Sequence, residues 1–254
     1  MLTKNEIKYY SSLLQKKYRK EENKFIAEGK RLVEDGLLSG TRAELAAVTH
    51  EFAESGDPLL KAIDKKRVRL EILSTQEFKK LSDVEHPQGI AAVFSIPESK
   101  PLSSSNIYVA LENISDPGNL GTIFRTCDWF GVKDVILSPN CVEPWNPKVL
   151  RSSMGAVFHL NIIEDEKFYD TLEKMKSRGA GILTADLDGE DIYDFELNKK
   201  SVIVFSNEAA GPSMELIGLS SRKITIPKFG KSESLNVAVS SAVILSEVVR
   251  KARH

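Results

Sequence analysis

Apolar positions along the chain alternate between a helical and an extended period. Ile7, Tyr10, Leu14 and Tyr18 recur at helical spacing, so the first segment reads as an amphipathic helix. Glu28 to Leu38 reads as a second helix, stopped by Ser39-Gly40. Leu45–Val48 then reads as a strand, Pro58–Lys65 as a short helix and Val68–Leu73 as another strand. Ser74-Thr75-Gln76-Glu77 has the form of a capping box and opens a helix reaching Leu81. His86-Pro87-Gln88-Gly89 is a turn that feeds a strand, Ile90–Ile96.

Pro97-Glu98-Ser99-Lys100-Pro101-Leu102-Ser103-Ser104-Ser105 has no apolar period and reads as a linker. It divides the chain into an N-terminal α/β domain (1–96), a linker (97–105) and a larger α/β domain (106–254). In the second domain strands are expected at Ile107–Leu111, Asp134–Leu137, Phe158–Ile163, Gly181–Ala185, Ser201–Phe205 and Ile224–Ile226. Helices are expected near Leu120–Phe130, Glu166–Arg178 and Leu235–Lys251. Short β-branched runs separated by helices imply a mainly parallel sheet covered on both faces. Ligands in such sheets bind beyond the C-terminal ends of the strands.

Three polar segments begin at such ends. The first is Asn113-Ile114-Ser115-Asp116-Pro117-Gly118-Asn119-Leu120-Gly121-Thr122-Ile123-Phe124-Arg125-Thr126, with Asn119 where a helix N-cap would fall and Arg125 inside the helix. A guanidinium at the mouth of the sheet suits phosphate or carboxylate, because it offers a planar fork of donors. Taken alone, the same segment is equally a capped helix whose arginine pairs with a nearby acid. The second is Ser206-Asn207-Glu208-Ala209-Ala210-Gly211-Pro212-Ser213, a polar turn holding one acid. The third runs from Ile226-Pro227 through a loop to Ser234-Leu235-Asn236-Val237, followed by the small residues Ala238, Ser241 and Ala242. Asn119, Ser234 and Asn236 are also explicable as helix caps, and Glu208 as a surface acid.

Composition removes several classes. With 254 residues, 41% hydrophobic and 28% charged, the chain can bury a real core. No apolar run is long enough to span a bilayer and no signal-peptide core opens the sequence, so no membrane partner and a cytoplasmic location are expected. Two cysteines, Cys127 and Cys141, and four histidines leave no disulfide framework and make a metal site unexpected. Cys127 reads as a small core residue; Trp129 and Trp145 could stack on bases, be buried or make a subunit contact. No G-x-G-x-x-G follows a strand, no G-x-x-x-x-G-K-[ST] occurs, and no G-x-S-x-G elbow is present. Nicotinamide, P-loop and serine-hydrolase chemistries lose their support. Net charge is −1, but residues 1–31 carry nine Lys/Arg against four Glu, and Lys61, Lys65, Lys66, Arg67 and Arg69 add a second basic cluster. A local basic face fits a phosphate backbone, and equally a solvated helix surface.

Together, in order and spacing, the three segments resemble the SpoU/TrmH family of RNA 2′-O-ribose methyltransferases, within the SPOUT class. The resemblance covers roughly the last 150 residues. The first domain more loosely resembles the family's substrate-binding domain, through Phe25-Ile26-Ala27-Glu28-Gly29 and His86-Pro87-Gln88-Gly89.

The resemblance implies a trefoil-knotted C-terminal α/β domain, S-adenosylmethionine as methyl donor, RNA as substrate and a homodimer packed through the C-terminal helix. Ribosomal RNA is favoured over transfer RNA by the separate N-terminal domain; a non-catalytic RNA-binding or assembly factor on the same fold is the alternative. By the same resemblance the cofactor would meet Thr184, Ala185, Ser206, Gly211, Ile226 and Leu235, largely through backbone groups. Catalytic residues would be Arg125, Asn119, Glu208, Ser234 and Asn236. Where the family often has glycines, this chain has Ser206 and Ala209. Arg125 matches the family's catalytic arginine. Because guanidinium groups stay protonated in proteins, an electrostatic clamp is the expected role, not proton abstraction.

Overall fold

A computed structural model describes residues 2–253. The chain divides into two compact units, one running to Glu98 and including Glu143–Phe158, the other comprising Ser99–Val142 and the chain from His159 on. No helix among the described residues is long and apolar enough to cross a membrane.

The first unit contains α1 (Lys4–Ser12), α2 (Lys16–Glu22), β1 (Lys24–Glu28), α3 (Lys30–Leu38), β2 (Ala43–Thr49), α4 (His50–Glu54), α5 (Pro58–Lys65), β3 (Arg69–Leu73), α6 (Thr75–Phe78) and β4 (Ile90–Ser95). Its four-stranded sheet has the order β1-β4-β2-β3, with β2 and β3 parallel and the other pairs antiparallel. Capping boxes start α1 at Thr3 and α6 at Ser74, each returning a glutamate three residues on to the cap. The N-terminal amphipathic stretch is two helices, because Leu13 closes the first turn-end and Gln15 is extended. The chain from Phe25 to Glu28 is a strand before the helix begins; Gly29, at φ +100°, supplies the corner between them.

The second unit begins with β5 (Ile107–Glu112), α7 (Pro117–Trp129) and β6 (Asp134–Leu137). The chain then leaves it for residues 143–158, which carry α8 (Pro147–Ser153) and belong to the first unit. Physical reasons are visible there. Glu143 takes the guanidinium of buried Arg19, Trp145 packs on Phe25 with ring centroids 4.6 Å apart, and Phe158 meets Phe94 at 5.7 Å. Trp145 is thus a core residue at 7% exposure, whereas Trp129 is 84% exposed. Phe158 ends a 3₁₀ turn, and the strand expected from it begins only at Asn161.

The second unit resumes with β7 (Asn161–Glu164), α9 (Phe168–Ser177), β8 (Gly181–Asp191), β9 (Ser201–Ser206), α10 (Met214–Leu219), β10 (Arg222–Thr225) and α11 (Val237–Ala252). Its six strands are all parallel in the order β10-β8-β9-β5-β6-β7. Central strands β5 and β9 are buried nearly throughout, as two-sided coverage requires. Helix α11 packs along α7. Cys127 is fully buried and burial pushes its thiol pKa up, so it is a core residue.

Candidate active site

One irregularity in the sheet opens the site. Strands β8 and β10 pair in register up to Thr184 and Lys223, after which Ile224 faces Glu190. Residues 185–189 therefore bulge from the sheet. Lys223 Nζ holds the bulge through Asp186 at 3.0 Å and Asp188 at 3.2 Å, and Thr225 Oγ1 donates to Leu187 O at 3.3 Å. Where the bulge rejoins, Gly189 is required: a Cβ there would lie 2.8 Å from the Ile224 backbone.

Beyond the C-terminal ends of β8, β9 and β10 lies a cleft of about 390 Å³. Ala185–Leu187 form one wall and Ser206–Glu208 with Gly211 and Pro212 another. The segment between β10 and α11 closes it, over a floor from Val237, Ser240 and Ile244. Gly211, at φ +66°, turns the second wall back on itself, and its N–H donates to Asn207 O at 2.8 Å. Asn207 pins that wall to the segment after β5, donating to Asn113 O and Ser115 Oγ, both at 3.3 Å. From Ile226 to Leu235, no main-chain N–H or C=O makes a hydrogen bond among the described residues. Such groups need partners when covered, so this stretch offers its backbone to whatever fills the cleft.

The sequence-derived residues divide into four groups, of which Arg125 alone is the last. Ala185, Ser206, Glu208, Gly211, Ile226, Ser234 and Leu235 all line the cleft. Thr184 does not. It is fully buried, with its hydroxyl 2.5 Å from Ser220 Oγ, because it is still paired in the sheet before the bulge begins. Asn119 and Asn236 lie outside the lining but join it through hydrogen bonds. Asn119 Nδ2 donates to Glu208 Oε1 at 3.0 Å, and Asn236 Nδ2 donates to Asn119 Oδ1 at 3.0 Å. This continuous chain links all three polar segments.

Capping roles differ from the sequence reading at one position. Asp116, not Asn119, caps α7, accepting from Asn119 N at 2.8 Å, so the helix starts at Pro117 and the Asn119 side chain is free for Glu208. Asn236 does cap α11, accepting from Ala238 N at 2.9 Å. Arg125 is exposed on α7, and among the described residues nothing engages its guanidinium. The reading in which it pairs with a nearby acid therefore fails.

Sequence reasoning passed over Glu112. The last residue of β5 is fully buried and accepts hydrogen bonds from Tyr169, Ser206 and Ser213. An acid ending an otherwise apolar strand was the available signal.

Comparison with known proteins divides the chain in two along the sequence, with residues 143–158 falling inside the C-terminal match. Residues 106–246 match the SpoU rRNA Methylase family, and residues 4–92 the MRM3-like substrate binding domain. Over 241 residues the chain is 30% identical to the 23S rRNA (guanosine(2553)-2′-O)-methyltransferase RlmP of Bacillus subtilis, covering 94% of each. A putative RNA methyltransferase of the TrmH family from Porphyromonas gingivalis superposes with a TM-score of 0.87 at 32% identity, over 98% of this chain and 99% of that one. An AdoMet-bound rRNA methyltransferase from Sinorhizobium meliloti gives a TM-score of 0.85 at 28% identity, over 98% and 96%.

Proposed function

The chain belongs to the SpoU rRNA methylase family, and from that premise we propose that it methylates a ribose 2′-hydroxyl in ribosomal RNA, using S-adenosylmethionine. The observation that carries this reading is the hydrogen-bonded chain Glu208–Asn119–Asn236 beside the cleft, whose middle residue lies on the helix that also bears the unengaged Arg125.

The cleft fits such a cofactor by its donor set. Its volume of about 390 Å³ lies in the range of small-molecule sites. Leu187, Ile226 and Leu235 offer apolar surface to a purine, and the unbonded backbone of Ile226–Leu235 offers donors and acceptors for its edges. Glu208 and Glu233 add carboxylates beside Lys228, and their sign suits a sulfonium or an ammonium. When bound, S-adenosylmethionine supplies an electrophilic methyl group.

The chain's own residues then have to hold and activate the hydroxyl. Arg125 grips a phosphate next to the target ribose and favours the developing alkoxide by its charge. The hydroxyl proton leaves to a phosphate oxygen or to water. Asn119, held by Glu208 and Asn236, keeps the start of α7 in register with the cleft, and Ser234 orients substrate or cofactor at the rim. The first unit, with its basic N-terminal helices, docks the RNA.

Two further features belong to the same reading. The all-parallel order β10-β8-β9-β5-β6-β7 and the fold neighbours support a trefoil-knotted path for the second unit. Exposed Trp129 and Val239, on α7 and α11, supply apolar surface for a second copy, hence a homodimer.

Transfer of tritiated methyl from S-adenosylmethionine to bulk RNA tests the activity. Mapping 2′-O-methylation in RNA from cells with and without the gene identifies the nucleotide. Methyl incorporation into transfer RNA alone would replace the ribosomal assignment, and no cofactor binding under any condition would end the enzyme reading.

A further inference from the structure

Glu112 is fully buried and does not line the cleft, yet it grips the loop that does. Its register partner across the sheet is Ser206, at the end of β9. Four hydrogen bonds converge on its carboxylate. Tyr169 Oη donates to Oε1 at 2.6 Å, Ser206 Oγ to Oε2 at 2.9 Å, Ser213 N to Oε2 at 3.1 Å and Ser213 Oγ to Oε1 at 2.5 Å. Its own carbonyl accepts from Asn207 N at 3.2 Å. Ser206 and Ser213 are the two ends of the 207–212 wall, so one side chain fixes both ends of that wall.

The bonding has a consequence for polarity. Ser206 Oγ donates to Glu112 Oε2, so its single hydroxyl proton is committed to Glu112. Ser206 is part of the cleft lining, and its oxygen has only lone pairs left to offer a ligand.

We propose that Glu112 is a positioning residue for the methyl-donor cleft. By holding Ser206 and Ser213 it sets the 207–212 wall and makes Ser206 a pure acceptor toward an N–H or O–H group of the cofactor. The inference rests on the methyl-donor reading above and adds to it a residue outside the cleft.

The test is calorimetric binding of S-adenosylhomocysteine to the full chain and its variants, with RNA affinity and melting temperature measured alongside. Glu112→Ala frees the Ser206 proton and leaves Ser213 N–H without its partner. It is expected to weaken the ligand by about tenfold or more, to raise KM for S-adenosylmethionine, and to leave RNA affinity unchanged. Glu112→Gln is expected to restore binding to within about threefold. The fixed Ser213 N–H draws the amide oxygen to its side, where Ser206 still donates, while the Tyr169 and Ser213 hydroxyls rotate to accept from the amide NH₂. Hydrogen exchange at residues 207–211 should quicken in Glu112→Ala and not in Glu112→Gln, with β9 protected in both.

If Glu112→Ala does not fold, Tyr169→Phe carries the test, since it removes one donor from outside the loop and is expected to weaken binding about threefold. Wild-type affinity in the folded Glu112→Ala or in Tyr169→Phe overturns the proposal. So does equal loss in Glu112→Gln and Glu112→Ala. Failure of the wild-type chain itself to bind S-adenosylhomocysteine would instead remove the methyl-donor reading.

Discussion

The amide of Asn119 donates to the carboxylate of Glu208 at 3.0 Å, joining residues 89 positions apart in sequence at the rim of one cleft. The bond defines what each end of Asn119 does: its nitrogen is taken by Glu208 and its oxygen accepts from Asn236. Asn119→Asp keeps the acceptor for Asn236 but sets a carboxylate against Glu208. Like charges at that distance repel, so the three segments should separate at the rim. Methyl transfer is expected to fall by about a hundredfold, in the range of losing one preorganised polar contact. The melting temperature should change little, because the pair lies at the surface. A radiolabelled methyl-transfer assay beside a melting curve checks both, and unchanged turnover would remove Asn119 from the site.

Arg125 gives a cleaner separation of function from stability. Among the described residues its guanidinium has no hydrogen bond and no ion pair, so removing it costs the folded chain almost nothing. Both Arg125→Ala and Arg125→Lys should melt with the wild type and bind S-adenosylhomocysteine normally. Turnover should drop about a hundredfold or more in Arg125→Ala, and much of that loss should remain in Arg125→Lys, since an ammonium cannot reproduce a bidentate fork. Near-normal turnover in Arg125→Lys would contradict the clamp.

The first unit holds a buried ion pair whose removal should be felt in stability. Arg19 and Glu143 are 2% and 4% exposed. Arg19 also donates to Leu13 O at 2.7 Å, where α1 ends. Glu143→Ala leaves that guanidinium buried without its acid and is expected to cost about 3–5 kcal/mol. The double change Arg19→Met with Glu143→Leu removes both charges and should recover most of the loss. Denaturant melts of the two variants decide it. A Glu143→Ala variant as stable as wild type would mean that water reaches the pair.

How much of this was legible in sequence follows from the range of the interactions. Pro58–Lys65 and Asp134–Leu137 form with the expected bounds, because period and capping are local. Strand Lys24–Glu28 was hidden by its charged ends and by the helix that follows Gly29 directly. Residues 143–158 looked like part of the second domain, since nothing local announces that Glu143 meets Arg19 or that Trp145 meets Phe25. Of the residues implied by the family resemblance, Ala185, Ser206, Glu208, Gly211, Ile226, Ser234 and Leu235 line the cleft, whereas Thr184 stays inside the sheet. The register shift against β10 that starts the bulge after it depends on a strand about forty residues away. Glu112 was missed for the same reason, since its partners lie on β9, α9 and the loop to α10.

The alkaline limb of stability should be traceable to Tyr10. Its hydroxyl donates to Glu44 Oε1 at 3.0 Å, and Glu44 is in turn paired with Lys24 at 2.5 Å. Burial, then the bond to Glu44, pushes the Tyr10 pKa from 10.0 up to about 12. The folded chain therefore holds this proton where the unfolded chain has released it. Stability from protonated Tyr10 is complete below pH 10 and is lost as the pH rises through about 12. Lys24 acts in the same direction, because its bonds to Glu44 and Tyr9 outweigh its burial and raise its pKa. The melting temperature of the wild type should fall across this window, and Tyr10→Phe, which keeps the Lys24–Glu44 pair, should fall less steeply. Melting curves at half-unit steps of pH measure the two slopes, and parallel slopes would show that Tyr10 ionises alike in the folded and unfolded chain.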